Sequence, residues 1–176
     1  MSSEFETVRE ETILEVHRFS VVEGTYRYED GEEVERQWVK TPASVAIAAY
    51  DDDVVYLVRQ PRQAVGRSDV LEVPAGLMDE DGESPLETAK RELAEEIGKG
   101  ARTWRHLTTF YTSPGFVEEV CHVYVATDLY DESAEAEEDE RIELVEAPLD
   151  ELDAVIEGCR DAKTLVGLLW FRAFSA

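Results

Sequence analysis

An α/β fold is predicted by three observations. Two nearly continuous apolar strand-like runs occupy 43–50 and 54–59, a sharply bounded helix covers 84–98, and three more strand-like runs precede two helical ones toward the C-terminus. At 176 residues the chain is long enough for one substantial core and short for two. A β-rich segment over 1–42 is expected ahead of a main domain over 43–176.

Residues 12–40 alternate apolar and polar side chains through Ile13, Leu14, Val16, Phe19, Val21 and Val22, then Tyr26 and Tyr28. Asp30-Gly31 stands between two strand-like runs, a hairpin-turn signal. Pro42 separates this antiparallel element from the two buried-type strands, which are joined across Asp51-Asp52-Asp53. A short strand, Val70 to Val73, leads into Pro74-Ala75-Gly76 and a loop to Glu83. Ser84 is then placed as an N-cap, Pro85 as the first helical residue and Glu87 as the third, which closes a capping box. Leu86, Ala89, Leu93 and Ile97 fall on one face, and Gly98 ends the helix. Strands are expected at 104–112, 118–127 and 142–147, and helices at 149–157 and 161–173.

The net charge is -24, and only four of the 17 basic residues are lysines. Such acidity keeps a protein hydrated in concentrated salt, where screening over ~3 Å at 1 M makes self-repulsion tolerable. A salt-adapted source is implied. Nucleic acid is excluded as a partner, because phosphate binding depends on clustered Lys and Arg. Apolar runs fall far below the roughly 20 residues of a membrane helix. Nothing in Met-Ser-Ser-Glu-Phe-Glu resembles an export signal, so a cytoplasmic protein is expected. Two cysteines and three scattered histidines offer neither a disulfide framework nor a soft-metal centre.

Glu92, Glu95 and Glu96 stand at i, i+3 and i+4 and project from one side of the helix while Leu86, Leu93 and Ile97 face the core. Such a cluster repels itself unless a cation sits in it, and hard oxygen ligands suit Mg²⁺ or Mn²⁺. Gly76 permits backbone conformations closed to other residues, so that a loop carbonyl can turn toward the same cation. Arg91 can pair with Glu83 and brace the loop against the helix. An ordinary solvated helix face is the alternative for the glutamates. It does not account for the glycines, the proline, the cap and Arg91.

These residues resemble the box of the Nudix hydrolase family, G-x5-E-x7-R-E-U-x-E-E-x-G-U, with U a bulky apolar residue. From Glu83 through Gly98 the match is complete. Six residues rather than five separate Gly76 from Glu83, and Lys99 replaces the final apolar residue. The extra residue lies in the loop Met78 to Gly82, ahead of the helix. Glu72-Val73-Pro74-Ala75-Gly76 resembles the entry to the box in ADP-ribose pyrophosphatases. So does Phe110-Tyr111-Thr112-Ser113-Pro114-Gly115-Phe116, with Pro114 placed 15 residues beyond Lys99. Asp161-Ala162-Lys163-Thr164 is similar to the start of that subfamily's last helix.

The resemblance implies an α/β/α Nudix sandwich with a mixed sheet, and Mg²⁺-dependent hydrolysis of ADP-ribose to AMP and ribose 5-phosphate. It assigns Glu92 and Glu96 as principal metal ligands, with Glu95 and the Ala75 carbonyl as further ones. Glu95 also belongs to the catalytic set. A general base is expected in the acidic segment before Ile142, with Glu140 favoured and Glu138 next. Arg36 and Arg62 can meet phosphate or ribose or can form ion pairs, and Phe19 can stack on adenine or pack internally. Glu72 and Pro114 complete the expected substrate-binding set. A dimer that exchanges the N-terminal β element is expected. Two rival readings remain open: hydrolysis of another nucleoside diphosphate sugar or dinucleotide, and a nucleotide-sensing module without turnover.

Overall fold

The computed structural model describes residues 4–132, 134 and 141–174. The chain forms two compact units, one of residues 1–42 with 111–120 and the other of 43–110 with 121–176.

In the first unit β1 (Phe5–Glu15), β2 (Ser20–Tyr28) and β3 (Glu33–Lys40) form an antiparallel sheet in that order. The β2–β3 turn closes on Gly31 at φ 88°, a conformation costly for a residue with a Cβ. Glu32 N–H donates to the Asp30 side chain there at 3.0 Å. Every residue of β1 is exposed. Its first seven residues have no apolar alternation, and the sequence pattern marks the element only from residue 12. The strand extends to Phe5 because it is held by its ladder to β2, from Phe5 opposite Tyr28 to Glu15 opposite Ser20, and not by burial.

The second unit is a three-layer sandwich. β4 (Ser44–Asp51) lies parallel to β9 (Val120–Asp131) over Ser44–Ala49 and antiparallel to β5 (Val54–Arg62). The path is completed by β10 (Glu143–Pro148) outside β5 and β8 (Lys99–Tyr111) outside β9. Side chains of β4 alternate between two cores, as strand geometry requires. Val45, Ile47 and Ala49 pack with Ala89, Leu93 and Ile97 of helix α1 (Pro85–Ile97). Ala46 and Ala48 share the other core with Leu152 of α2 (Leu152–Gly158) and with Leu168 and Phe171 of α3 (Ala162–Phe174). This is the mixed α/β sandwich expected. Among the described residues no helix is long and apolar enough to cross a membrane.

One feature of the sheet positions the site. β4 and β5 pair only over Ala49–Asp51 and Val54–Tyr56, then separate. The gap takes β6 (Arg67–Glu72) against β5 and β7 (Ala75–Leu77) against β4, so the segment Val73-Pro74 passes between two pairings. Pro74, which has no N–H, sits where no ladder bond is needed.

Candidate active site

Local chemistry defines the helix. Ser84 N–H donates to Glu87 Oε2 at 2.8 Å and Glu87 N–H donates to Ser84 Oγ at 3.4 Å, a complete capping box, with Pro85 in the first turn. At the far end Gly98 takes φ 67° and its N–H reaches the carbonyls of Ala94 and Leu93. Lys99, where the family pattern has an apolar residue, turns outward to Asp131 Oδ1 at 2.7 Å.

With its ends fixed and Ala89 and Leu93 fully buried, the helix presents its carboxylates on the face beside β7. Arg91 organises them. Its Nη1 donates to Glu92 Oε1 at 2.8 Å and to Glu95 Oε2 at 2.9 Å, and its Nε lies 3.3 Å from both oxygens of Glu83. Nη2 reaches back to the Leu77 carbonyl at 3.4 Å. Burial alone pulls the guanidinium downward, but the carboxylates of Glu92, Glu95 and Glu83 more than reverse this and hold it above its ordinary value. The Thr88 hydroxyl also donates to Glu83 Oε2, at 3.0 Å. Glu83 therefore reaches the helix across the longer loop, whose Gly82 absorbs the turn at φ 89°.

Glu96 is held differently, accepting the Ala75 N–H at 3.0 Å. Gly76, next along β7, is needed for space and not for backbone conformation. It is absent from the glycines of positive φ, and a Cβ built there would overlap the carboxylate of Glu92. The backbone conformation closed to other residues that was expected of Gly76 is thus corrected to a close approach of backbone to carboxylate.

Arg62 and Glu72 form a two-pronged pair, with Nε to Oε1 at 2.7 Å and Nη2 to Oε2 at 2.6 Å. Glu72 is 2% exposed, and this fork compensates its loss of hydration. The fork to Glu72 raises the Arg62 pKa, burial opposes it, and the carboxylates of Glu72, Glu96 and Asp161 add to the rise. Arg62 therefore joins the site through an ion pair. In the first unit, Arg36 and Pro114 line one hollow of about 760 Å³ together with Tyr26, Trp38, Tyr111 and Phe116. Phe19 stands just ahead of β2, 42% exposed and outside that lining. Glu138 and Glu140 lie outside the described residues.

Two arrangements have no signal in the sequence. Thr164, in the first turn of α3, accepts the Val73 N–H at 2.9 Å across 91 residues of chain. His106 and His122, read separately, both lie against the Thr109 hydroxyl, at 2.9 and 3.0 Å. Burial, and then His106, hold His122 below the ordinary 6.5. A depressed imidazole contributes stability that is complete above its unfolded value and is lost as pH falls through the folded one. His122→Gln should thus flatten the decline in melting temperature between about pH 7.5 and pH 5, measured against the parent.

Among the described residues no three His, Cys, Asp or Glu side chains converge as a ready cage. Arg91 engages Glu92 and Glu95 instead, and Ala75 engages Glu96. The donor set nevertheless suits a hard divalent cation: carboxylate oxygens from one helical turn, over a backbone cradle that a side chain at Gly76 would fill. Glu92, Glu95 and Glu96 would hold it, with the Ala75 carbonyl as a backbone donor.

The chain is also similar to known proteins. A model of the NUDIX domain matches residues 40–166. An ADP-ribose pyrophosphatase of Bacillus subtilis (strain 168) is 38% identical over 148 residues, covering 81% of this chain and 79% of the relative. A methanol dehydrogenase activator of Bacillus methanolicus is 36% identical with the same coverages, 81% and 79%. A solved structure, described as the crystal structure of an ADP compounds hydrolase, superposes with a TM-score of 0.87 at 28% identity. It covers 97% of this chain and 94% of its own.

Proposed function

This chain belongs to the Nudix family, and from that membership we propose that it is a Mg²⁺-dependent pyrophosphohydrolase that cleaves ADP-ribose with water to AMP and ribose 5-phosphate. The observation that carries the chemistry is the set of carboxylates on one helical turn, folded over Gly76 and gathered by Arg91. The relatives acting on ADP-ribose and ADP compounds carry the substrate class.

Glu92, Glu95 and Glu96 would hold the divalent cation, which would neutralise charge on the phosphoryl oxygens. The chain's own residues do the rest. Glu83 and Thr88 set Arg91, and Arg91 sets the rotamers of Glu92 and Glu95. Arg62, fixed by its fork to Glu72, places a cation beside Glu96 for the substrate's anionic groups. We assign Arg36 and Pro114 to substrate binding through their shared hollow, and Phe19 to base stacking through its exposure. The general base is assigned to Glu140, with Glu138 as the second choice, on the family resemblance of the acidic segment.

The panel that tests the substrate contains ADP-ribose, ADP-glucose, NADH and nucleoside triphosphates, run with Mg²⁺ in concentrated KCl with AMP release measured. ADP-ribose should rank among the best by kcat/KM. A better nucleoside diphosphate sugar or dinucleotide would move the assignment to the second hydrolase reading, and no turnover at all would leave the sensing module. Activity that rises with KCl would support the salt-adapted cytoplasmic origin to which the charge of -24 points.

We also propose a homodimer built through the N-terminal segment over residues 1–42. β1 leaves Phe5, Val8, Ile13 and Leu14 between 43% and 60% exposed, more apolar surface than an isolated sheet edge tolerates. Light scattering should give the mass of two chains, and a monomer at micromolar concentration would exclude this.

A further inference from the structure

The segment that enters the site, Glu72 to Ala75, is tied at every residue. Glu72 is forked by Arg62, and the Pro74 carbonyl accepts the Ile47 N–H at 2.8 Å. Ala75 N–H donates to Glu96 at 3.0 Å. These partners come from β5, β4 and α1. The Val73 tie is the exception, since its partner is the Thr164 hydroxyl at the start of α3. Val73 stands between the β6 pairing and the β7 pairing, where no strand supplies an acceptor for its N–H.

The Thr164 oxygen that accepts this bond is itself oriented. Its proton goes to Asp161 Oδ2 at 2.8 Å, and the Thr164 N–H donates to the same oxygen at 2.8 Å. Thr164 and Val73 are 0% and 1% exposed, so water cannot substitute for either partner. Asp161 is also one of the charges felt by Arg62, alongside Glu96.

We propose that Asp161 and Thr164 are positioning residues for the cation-binding carboxylate Glu96, acting through Val73 to hold Ala75 in register with it. The inference rests on the metal-dependent reading of the site. A single residue, Pro74, separates the pinned Val73 amide from the Ala75 amide that orients Glu96, and its ring stiffens the link. The last helix thereby sets the geometry of a carboxylate on the first one through the backbone between them.

Thr164→Val keeps the shape and removes the hydroxyl, while Thr164→Ser keeps the hydroxyl. Asp161→Asn serves as a milder second variant should the valine protein not fold. Two readouts are needed on the full chain: amide hydrogen exchange over 72–77, and Mn²⁺ affinity from the paramagnetic resonance signal of the free ion. Thr164→Val is expected to speed exchange in 72–77 beyond any global change and to weaken Mn²⁺ binding about tenfold, one buried hydrogen bond's worth. Thr164→Ser should restore both within about twofold. Exchange in 72–77 that changes only in step with global stability, or Mn²⁺ affinity within about twofold of the parent, would overturn the inference and leave Thr164 a packing residue. A parent protein that fails to bind Mn²⁺ would instead overturn the metal reading and this inference with it, a distinct outcome.

Discussion

Glu96→Gln should lower kcat/KM for ADP-ribose by at least about three orders of magnitude while leaving the fold intact. The reason lies in what the substitution keeps. Glutamine has the shape of glutamate and retains a carbonyl oxygen, so the Ala75 N–H that donates to Glu96 at 3.0 Å still finds an acceptor. Helix α1 keeps its capping box, its Gly98 terminus and its buried Ala89 and Leu93. What disappears is one negative charge, and a hard divalent cation binds an amide oxygen far more weakly than a carboxylate. Raising Mg²⁺ should recover part of the activity. A melting temperature close to the parent's, with turnover also close to the parent's, would remove Glu96 from the metal-binding set.

Gly76→Ala should be the most damaging single-methyl change in the site. The added Cβ would coincide with the carboxylate of Glu92, so either Glu92 leaves its bond to Arg91 or β7 shifts from its pairing of Gly76 with Val45. The atoms met are the far end of a flexible side chain, so displacement of the Glu92 carboxylate is the main consequence. Displacement of a ligand should cost about a hundredfold or more in kcat/KM, since misplacement by an ångström can cost that much. Gly82→Ala is the informative control. Gly82 sits at φ 89° with nothing within 4 Å of a built Cβ, so an alanine there is strained but meets no neighbour. It should lose about 1–2 kcal/mol of stability and keep near-parental kcat. If the two variants lose activity equally, crowding of Glu92 is not the reason for glycine at 76.

The contrast between these glycines shows which features could be read in advance. The helix from Pro85 to Ile97 was legible because its signals are local: a cap three residues from its reciprocal partner, a proline at the first position, a glycine at the end. The i, i+3, i+4 spacing of Glu92, Glu95 and Glu96 is likewise a property of helical geometry alone. Gly76 could be singled out, yet the cause of its presence could not, because the carboxylate that occupies its side-chain space arrives from a helix several residues downstream. The bidentate hold of Arg62 on Glu72 was equally out of reach, although both residues were candidates for the site. Nothing in a one-dimensional pattern states that β5 and β6 run antiparallel with Val58 opposite Glu72.

Residue order alone encodes the α/β class, the helix that carries the carboxylates and the brace of Arg91 to Glu83. Each depends on interactions within a turn or two of chain, where spacing and geometry are nearly the same thing. It is in the folded chain alone that β4 and β5 part to admit Val73-Pro74, that Glu92 fills the space over Gly76, and that Thr164 pins Val73 from 91 residues away. Those contacts depend on how separately formed elements pack. Packing depends on the shape and burial of whole surfaces, which residue order encodes only collectively.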